Sequence, residues 1–160
     1  MNKFILVDPE KCIGCRTCAL TCSFEHEDEF NPSLSRISPL WMEEMGRFIP
    51  FTCQQCEDPL CVQACPRDGI RIDPETGAKI VDPSRCIGCR ACFYACPFGI
   101  PVIHPLTKCM FKCDLCGGDP QCVQDCPRGA LSLAESDAAS RTKRRDAARK
   151  LIVLMEKVGC

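Results

Sequence analysis

The chain has 160 residues, a formal net charge of −1 and 18 cysteines. Without the cysteines the apolar fraction falls to about a third, thin for an unaided core, so the fold calls for disulfide or metal staples. No apolar stretch approaches the ~18 residues of a membrane-spanning helix, and the N-terminus lacks a signal-peptide run, so the expected compartment is the cytoplasm.

In chain order, Phe4–Val7 is a short apolar run predicted as a strand. Cys12, Cys15, Cys18 and Cys22 follow, with a short helix expected near residues 17–25. Residues 23–52 hold no cysteine, three prolines and the single tryptophan, Trp41. This stretch is expected to be a loop that covers an exposed site or meets a partner, its acidic run Glu25, Glu27, Asp28 and Glu29 a solvated face. Cys53, Cys56, Cys61 and Cys65 form a second quartet. Ile70–Ile72 and Lys79–Val81 flank D-P-E-T-G-A and predict a hairpin, with Gly77 available for a positive φ. Cys86, Cys89, Cys92 and Cys96 make the third quartet, with a helix near residues 91–96, and Cys113, Cys116, Cys122 and Cys126 the fourth. A strand is expected at residues 130–133. Residues 134–160 read as a helical extension: Ala148, Leu151, Ile152, Met155 and Val158 recur at helical spacing beside Arg141, Lys143, Arg144, Arg145, Arg149 and Lys150. Such a helix either packs back on residues 1–133 or docks a partner subunit.

The chain repeats itself. Residues 7–22 and 81–96 share V-D-P, C-I-G-C-R and the cysteine spacing, while residues 53–67 and 113–128 share Asp-Pro, Cys-Val-Gln and Cys-Pro-Arg. This is a tandem duplication with two quartets per copy.

Sixteen cysteines in four quartets, with two histidines, fit neither a disulfide scaffold nor paired zinc ligands. Three cysteines at intervals of three and a fourth four residues on is the run that wraps a [4Fe–4S] cubane, the fourth ligand serving the neighbouring cluster. Four clusters are therefore expected. With about −2 on each oxidised cubane the loaded chain is strongly acidic, which excludes a nucleic-acid partner. In a two-cluster ferredoxin the outer strands pair and a central hairpin joins the halves. Applied here, the first and fourth quartets make an outer unit and the second and third an inner one. The expected ligand sets are then Cys12, Cys15, Cys18 and Cys126; Cys53, Cys56, Cys61 and Cys96; Cys86, Cys89, Cys92 and Cys65; and Cys113, Cys116, Cys122 and Cys22. The rival is two sequential ferredoxins, with the first quartet sharing ligands with the second and the third with the fourth.

Other residues have structural readings. Gly14 and Gly88 let the backbone approach a cluster, and Ile13 and Ile87 shield it from water. Pro66, Pro97 and Pro127 turn the chain after the fourth cysteine, whereas Cys22 is followed by Ser23, so the chain leaves it differently. Cys109 is a packed thiol and Cys160 a free one. His26 and His104 are surface or packing residues, and neither Tyr94 nor Trp41 is required as a relay. No nucleophile with its base, phosphate loop or dinucleotide fingerprint is present, so no catalytic residue is assigned and one-electron transfer is the remaining chemistry.

The order of the quartets, with K-C-D-L-C…C-V-Q-D-C-P from Lys112 to Pro127, resembles the four-cluster ferredoxin-like electron-transfer subunits of molybdenum and tungsten oxidoreductases. The resemblance covers residues 4–133. It implies an α+β fold of tandem ferredoxin-like units around four cubanes, the crossed ligand sets, and a non-catalytic role. It also implies a molybdenum- or tungsten-pterin catalytic partner and a second redox partner such as a flavin or NAD subunit or a ferredoxin. The compact form looks most like the small subunit of a tungsten aldehyde oxidoreductase. An independent soluble polyferredoxin and a self-stacking, conducting assembly of copies are the alternatives.

Overall fold

The computed structural model describes residues 2–136. Short strands pair as four separate antiparallel ribbons: β1 (Lys3–Val7) with β8 (Leu131–Glu135), β2 (Ile37–Met42) with β3 (Arg47–Thr52), β4 (Ile70–Ile72) with β5 (Lys79–Val81), and β6 (Val102–Ile103) with β7 (Met110–Phe111). Between them lie four short helices, α1 (Thr17–Glu27), α2 (Leu60–Gln63), α3 (Ala91–Ala95) and α4 (Gln121–Gln124). The class is α+β, as the sequence implies.

The ribbon β1–β8 joins the two ends of the described chain, with Ile5 opposite Leu133 and Val7 opposite Leu131. It brings the first quartet beside the fourth, and α1 packs on α4. The hairpin β4–β5 closes between the second and third quartets, with Gly77 at φ +72° in its turn, and α2 packs on α3. The larger core gathers Ile5, Ile37, Ala78, Leu115 and Leu131 around Cys18, Cys22, Cys53, Cys113 and Cys122, so half of it is cysteine. A smaller core holds Ile70, Cys92 and Met110. Apolar burial alone is scarce in both, and whatever the thiols bind is part of the packing.

Two expectations change. Residues 23–52 are not a loop: α1 runs on to Glu27 and the stretch ends in the hairpin β2–β3. Pro39 and Pro50 obscure it in the sequence, yet they face one another in the register, on a two-stranded ribbon whose outer edges need no amide. Strand β8 continues to Glu135, so the helical extension cannot begin at residue 134. The rest of that extension, with Cys160, lies outside the described residues. Helices α2 and α4 are too short to show a period. Both start on the same device, the carbonyl of Pro59 or Pro120 accepting the amide of Val62 or Val123 at 2.9 Å.

Candidate metal centres

Each C-I-G-C-R motif follows the same path. Gly14 and Gly88 have φ of +69° and +65°, and Arg16 and Arg90 have φ of +61° and +63° and start α1 and α3. The side chains beyond the glycines differ. The ring of Phe48 sits against Gly14 and the carbonyl of Lys108 against Gly88, so close packing of other segments, as well as approach to a cluster, demands glycine at both.

Cys12, Cys15, Cys18 and Cys126 line one cavity, roofed by Pro39 and Pro50 of β2–β3. Cys65, Cys86, Cys89 and Cys92 line a second. Cys53 and Cys96 both act electrostatically on the thiols of Cys56 and Cys61, which groups these four. Cys22 acts likewise on Cys116 and Cys122, and Cys113 acts on Cys122. Each of the two cavities thus brings three cysteines of one motif beside a fourth from a distant segment. The sets also adjoin one another in a line. Cys18 acts on Cys122, Cys53 on Cys113, and Cys61 on Cys92.

Burial pushes the Cys18, Cys92 and Cys116 thiols up to about 11 and that of Cys113 to about 12, and moves Cys122 the same way. Such thiols hold their protons until a metal displaces them. No cysteine among the described residues is in a disulfide. Backbone amides are aimed at several sulfurs: Gly69 at Cys65 (3.1 Å), Ala130 at Cys126 (3.3 Å), Arg36 at Cys22 (3.3 Å) and Met110 at Cys86 (3.2 Å). The first two are equivalent in the duplication, four residues past a Cys-Pro-Arg cysteine. Sets of four reduced sulfur donors, gathered in apolar surroundings with amides pointing at them, suit cubane iron–sulfur clusters.

Around Cys22, Cys113 and Cys116 the network is ionic. Asp114 accepts from Arg36 Nη1 at 2.5 Å and from the amide of Cys116 at 3.0 Å, and pairs with His26 Nε2 at 3.0 Å. Burial alone would raise the Asp114 carboxyl, but the His26 contact and the Arg36 guanidinium hold it well below the usual carboxylate range. Among the described residues, His26, Asp114 and Cys116 place their ligand atoms within 4.8 Å of one another. His26 is spoken for by Asp114 and by the Cys22 carbonyl at 3.0 Å. His104 is buried; its Nδ1 accepts the amides of Leu106 and Thr107, and its Nε2 meets Glu27 at 3.3 Å. Both histidines are therefore packing residues, His104 buried and His26 half-buried. Cys109 is a half-buried thiol near the carbonyls of Pro83 and Cys86. Ile13 and Ile87 are 62% and 64% exposed, so each borders its cavity without sealing it. Sequence reading passed over Lys79, Lys112 and Gln55, all buried beside the cysteines. The only signal for the two lysines was polarity inside apolar runs, K-I-V and M-F-K-C.

Sequence profiles of the 4Fe–4S dicluster domain match residues 45–136 and 11–70. The chain belongs to the 4Fe–4S dicluster family. The two matches overlap across the second quartet, so neither corresponds to a unit joined by β1–β8. Among relatives of this dicluster protein is the aliphatic sulfonate oxidoreductase polyferredoxin-like subunit of Pyrococcus furiosus, 46% identical over 77% of this chain and 70% of the relative. The putative electron transport protein YsaA of Escherichia coli is 38% identical over 91% of this chain and 98% of its own length. One polypeptide of the E. coli anaerobic dimethyl sulfoxide reductase is 35% identical over 82% of this chain and 72% of its own length. The dicluster protein is an iron–sulfur electron-transfer protein of this kind and carries [4Fe–4S] clusters. Among the described residues no helix is long and apolar enough to cross a membrane.

Proposed function

We propose that the chain is the non-catalytic relay of a cytoplasmic oxidoreductase complex, carrying single electrons between a molybdenum- or tungsten-pterin catalytic subunit and a second redox partner such as a flavin subunit. The observation that carries this reading is the linear adjacency of the four cysteine sets, through Cys18 and Cys122, Cys113 and Cys53, and Cys61 and Cys92. Cys12, Cys15, Cys18 and Cys126 would hold one end cluster, and Cys86, Cys89, Cys92 and Cys65 the other. Cys22, Cys113, Cys116 and Cys122, then Cys53, Cys56, Cys61 and Cys96, would hold the middle two. A cubane supplies reversible uptake of one electron. The chain's own part is to fix the sulfurs, donate amides to them and exclude water from the middle sets.

Residues 1–133 then form one relay body, an outer unit folded around an inner one. Its two ends carry exposed apolar side chains: Ile13, Leu40 and Trp41 at one, Ile87, Phe93 and Tyr94 at the other. Such rims suit contact with partner proteins. The Pyrococcus and dimethyl sulfoxide reductase relatives, both named as parts of oxidoreductases, support a catalytic partner of that class; a tungsten aldehyde oxidoreductase is the specific candidate that the sequence resemblance implies.

Ligand pairing is tested by spectroscopy of serine variants. Cys126→Ser is expected to alter the same electron paramagnetic resonance signal as Cys12→Ser. Sharing a signal with Cys86→Ser instead would establish the sequential pairing. Purification from native extract tests the partner: a chain that elutes alone, without a pterin-bearing subunit, is an independent carrier.

A further inference from the structure

Lys79 and Lys112 are 3% and 4% exposed, and the two amines lie at the junction of the outer and inner units. Lys112 Nζ donates to the carbonyl of Lys79 and, at 3.0 Å, to that of Cys113. Lys79 Nζ donates to Asn2 Oδ1 at 2.7 Å and to the Gln55 carbonyl at 3.3 Å. The fully buried Gln55 side chain completes the frame, donating to the Cys113 carbonyl at 2.9 Å and accepting the Lys79 amide at 3.0 Å. Every one of these acceptors is neutral, and no carboxylate among the described residues forms an ion pair with either lysine.

Two buried ammonium groups side by side, with dipoles but no counter-charge, are costly unless anions stand close by. Burial and the neighbouring Lys112 push the Lys79 amine down, and the groups that oppose them are the thiols of Cys53, Cys56 and Cys61, while Lys112 acts on Cys61 and Cys113. These cysteines belong to the two middle sets. At the ends, the groups acting on Cys18 and Cys92 are backbone amides and other thiols.

We infer that Lys79 and Lys112 are the buried counter-charges of the two middle clusters, and that they hold the potentials of those clusters above the values that burial alone would set. This rests on the four-set reading proposed above. Reduction adds one electron, hence one unit of negative charge, to a cluster already anionic. A fixed cation nearby, in a medium of low dielectric, favours the reduced form more than the oxidised one. The lysines are positioning residues of charge: they touch no substrate and transfer nothing. Without them the middle of the relay would be a barrier, because its clusters are the more buried.

The test is a potentiometric titration of the holo-protein, followed by electron paramagnetic resonance, for wild type, Lys112→Met and Lys79→Met. Methionine keeps the length of the side chain and removes the charge. Two of the four midpoint potentials are expected to fall, each by at least a tenfold change in the reduction constant, about 59 mV for one electron, while the other two move less. Four unmoved potentials, or four that fall equally, overturn the inference. If a methionine variant loses clusters, Lys112→Arg decides. Retention of iron by arginine supports a need for charge, and loss by both variants shows a need for shape alone and overturns it. Wild-type protein with clearly fewer than about sixteen iron atoms per chain sinks the four-set reading, and this inference with it, whereas full iron with unmoved potentials sinks the lysine inference alone.

Discussion

Gly14 and Gly88 occupy the same position in two identical C-I-G-C-R motifs, with φ of +69° and +65°, so local sequence predicts the same response to Gly→Ala. The structure predicts different ones. Both alanines take on the left-handed strain, about 1 kcal/mol. At residue 88 the new Cβ would stand 2.4 Å from the Lys108 carbonyl, where contact tighter than 3.4 Å is already unusual. That carbonyl cannot yield easily. It sits in the turn between β6 and β7, where the Lys108 amide donates to the His104 carbonyl at 3.0 Å and His104 Nδ1 accepts two further amides. The backbone must shift, at a further cost of about 1–3 kcal/mol. At residue 14 the overlap is deeper, 2.1 Å, but the atom met is the Phe48 ring. Phe48 is half-buried on a two-stranded hairpin and can swing out, giving up its contact with Trp41, whose ring centroid lies 5.1 Å away, at about 0.5–1.5 kcal/mol. Gly88→Ala should therefore cost about 2–4 kcal/mol and Gly14→Ala about 1.5–2.5 kcal/mol. Anaerobic heating, followed by loss of the cluster absorbance and by iron content, should rank Gly88→Ala as the more labile. Adding Phe48→Ala should recover part of the Gly14→Ala loss. Equal lability of the two variants, or no relief from removing Phe48, would refute the reasoning.

Other outcomes follow from the packing. Chelation of iron under reducing conditions should abolish most of the ordered structure seen by circular dichroism, because half of the larger core is cysteine. Ile37→Ala, at a site 2% exposed in that core, should lower stability by about 2–5 kcal/mol in the loaded protein, read as a lower midpoint for heat loss of the clusters. Asp114→Asn removes the carboxylate that Arg36 and His26 share, leaving a guanidinium whose Nε already lacks a partner among the described residues. A loss of about 1–3 kcal/mol is expected, together with earlier release of one cluster than in wild type.

Several elements were legible in one dimension because their cause is local. The hairpin at Ile70–Val81 follows from alternating apolar residues around a turn with glycine at the position of positive φ. The helices after Cys15 and Cys89 follow from repeated motif text. The hairpin β2–β3 was hidden because Pro39 and Pro50 argue against a strand unless each is known to face the other across a ribbon without further neighbours. Lys79 and Lys112 were hidden for another reason. A lysine reads as a solvated residue until its surroundings are known, and those surroundings come from Asn2, Gln55 and Cys113, up to 77 residues away along the chain.

Spacing alone determined the chemistry: sixteen thiols in four short motifs admit few ligands other than iron–sulfur, because the first three cysteines of each motif converge within a single loop whatever the rest of the chain does. Which motif supplies each fourth sulfur could not be read locally, since it depends on contacts between distant segments. What tertiary structure decided is which motifs lie side by side, through β1 pairing with β8 and β4 with β5. It also decided that Lys79 and Lys112 are buried, because burial is a property of the packed chain and not of any residue in it.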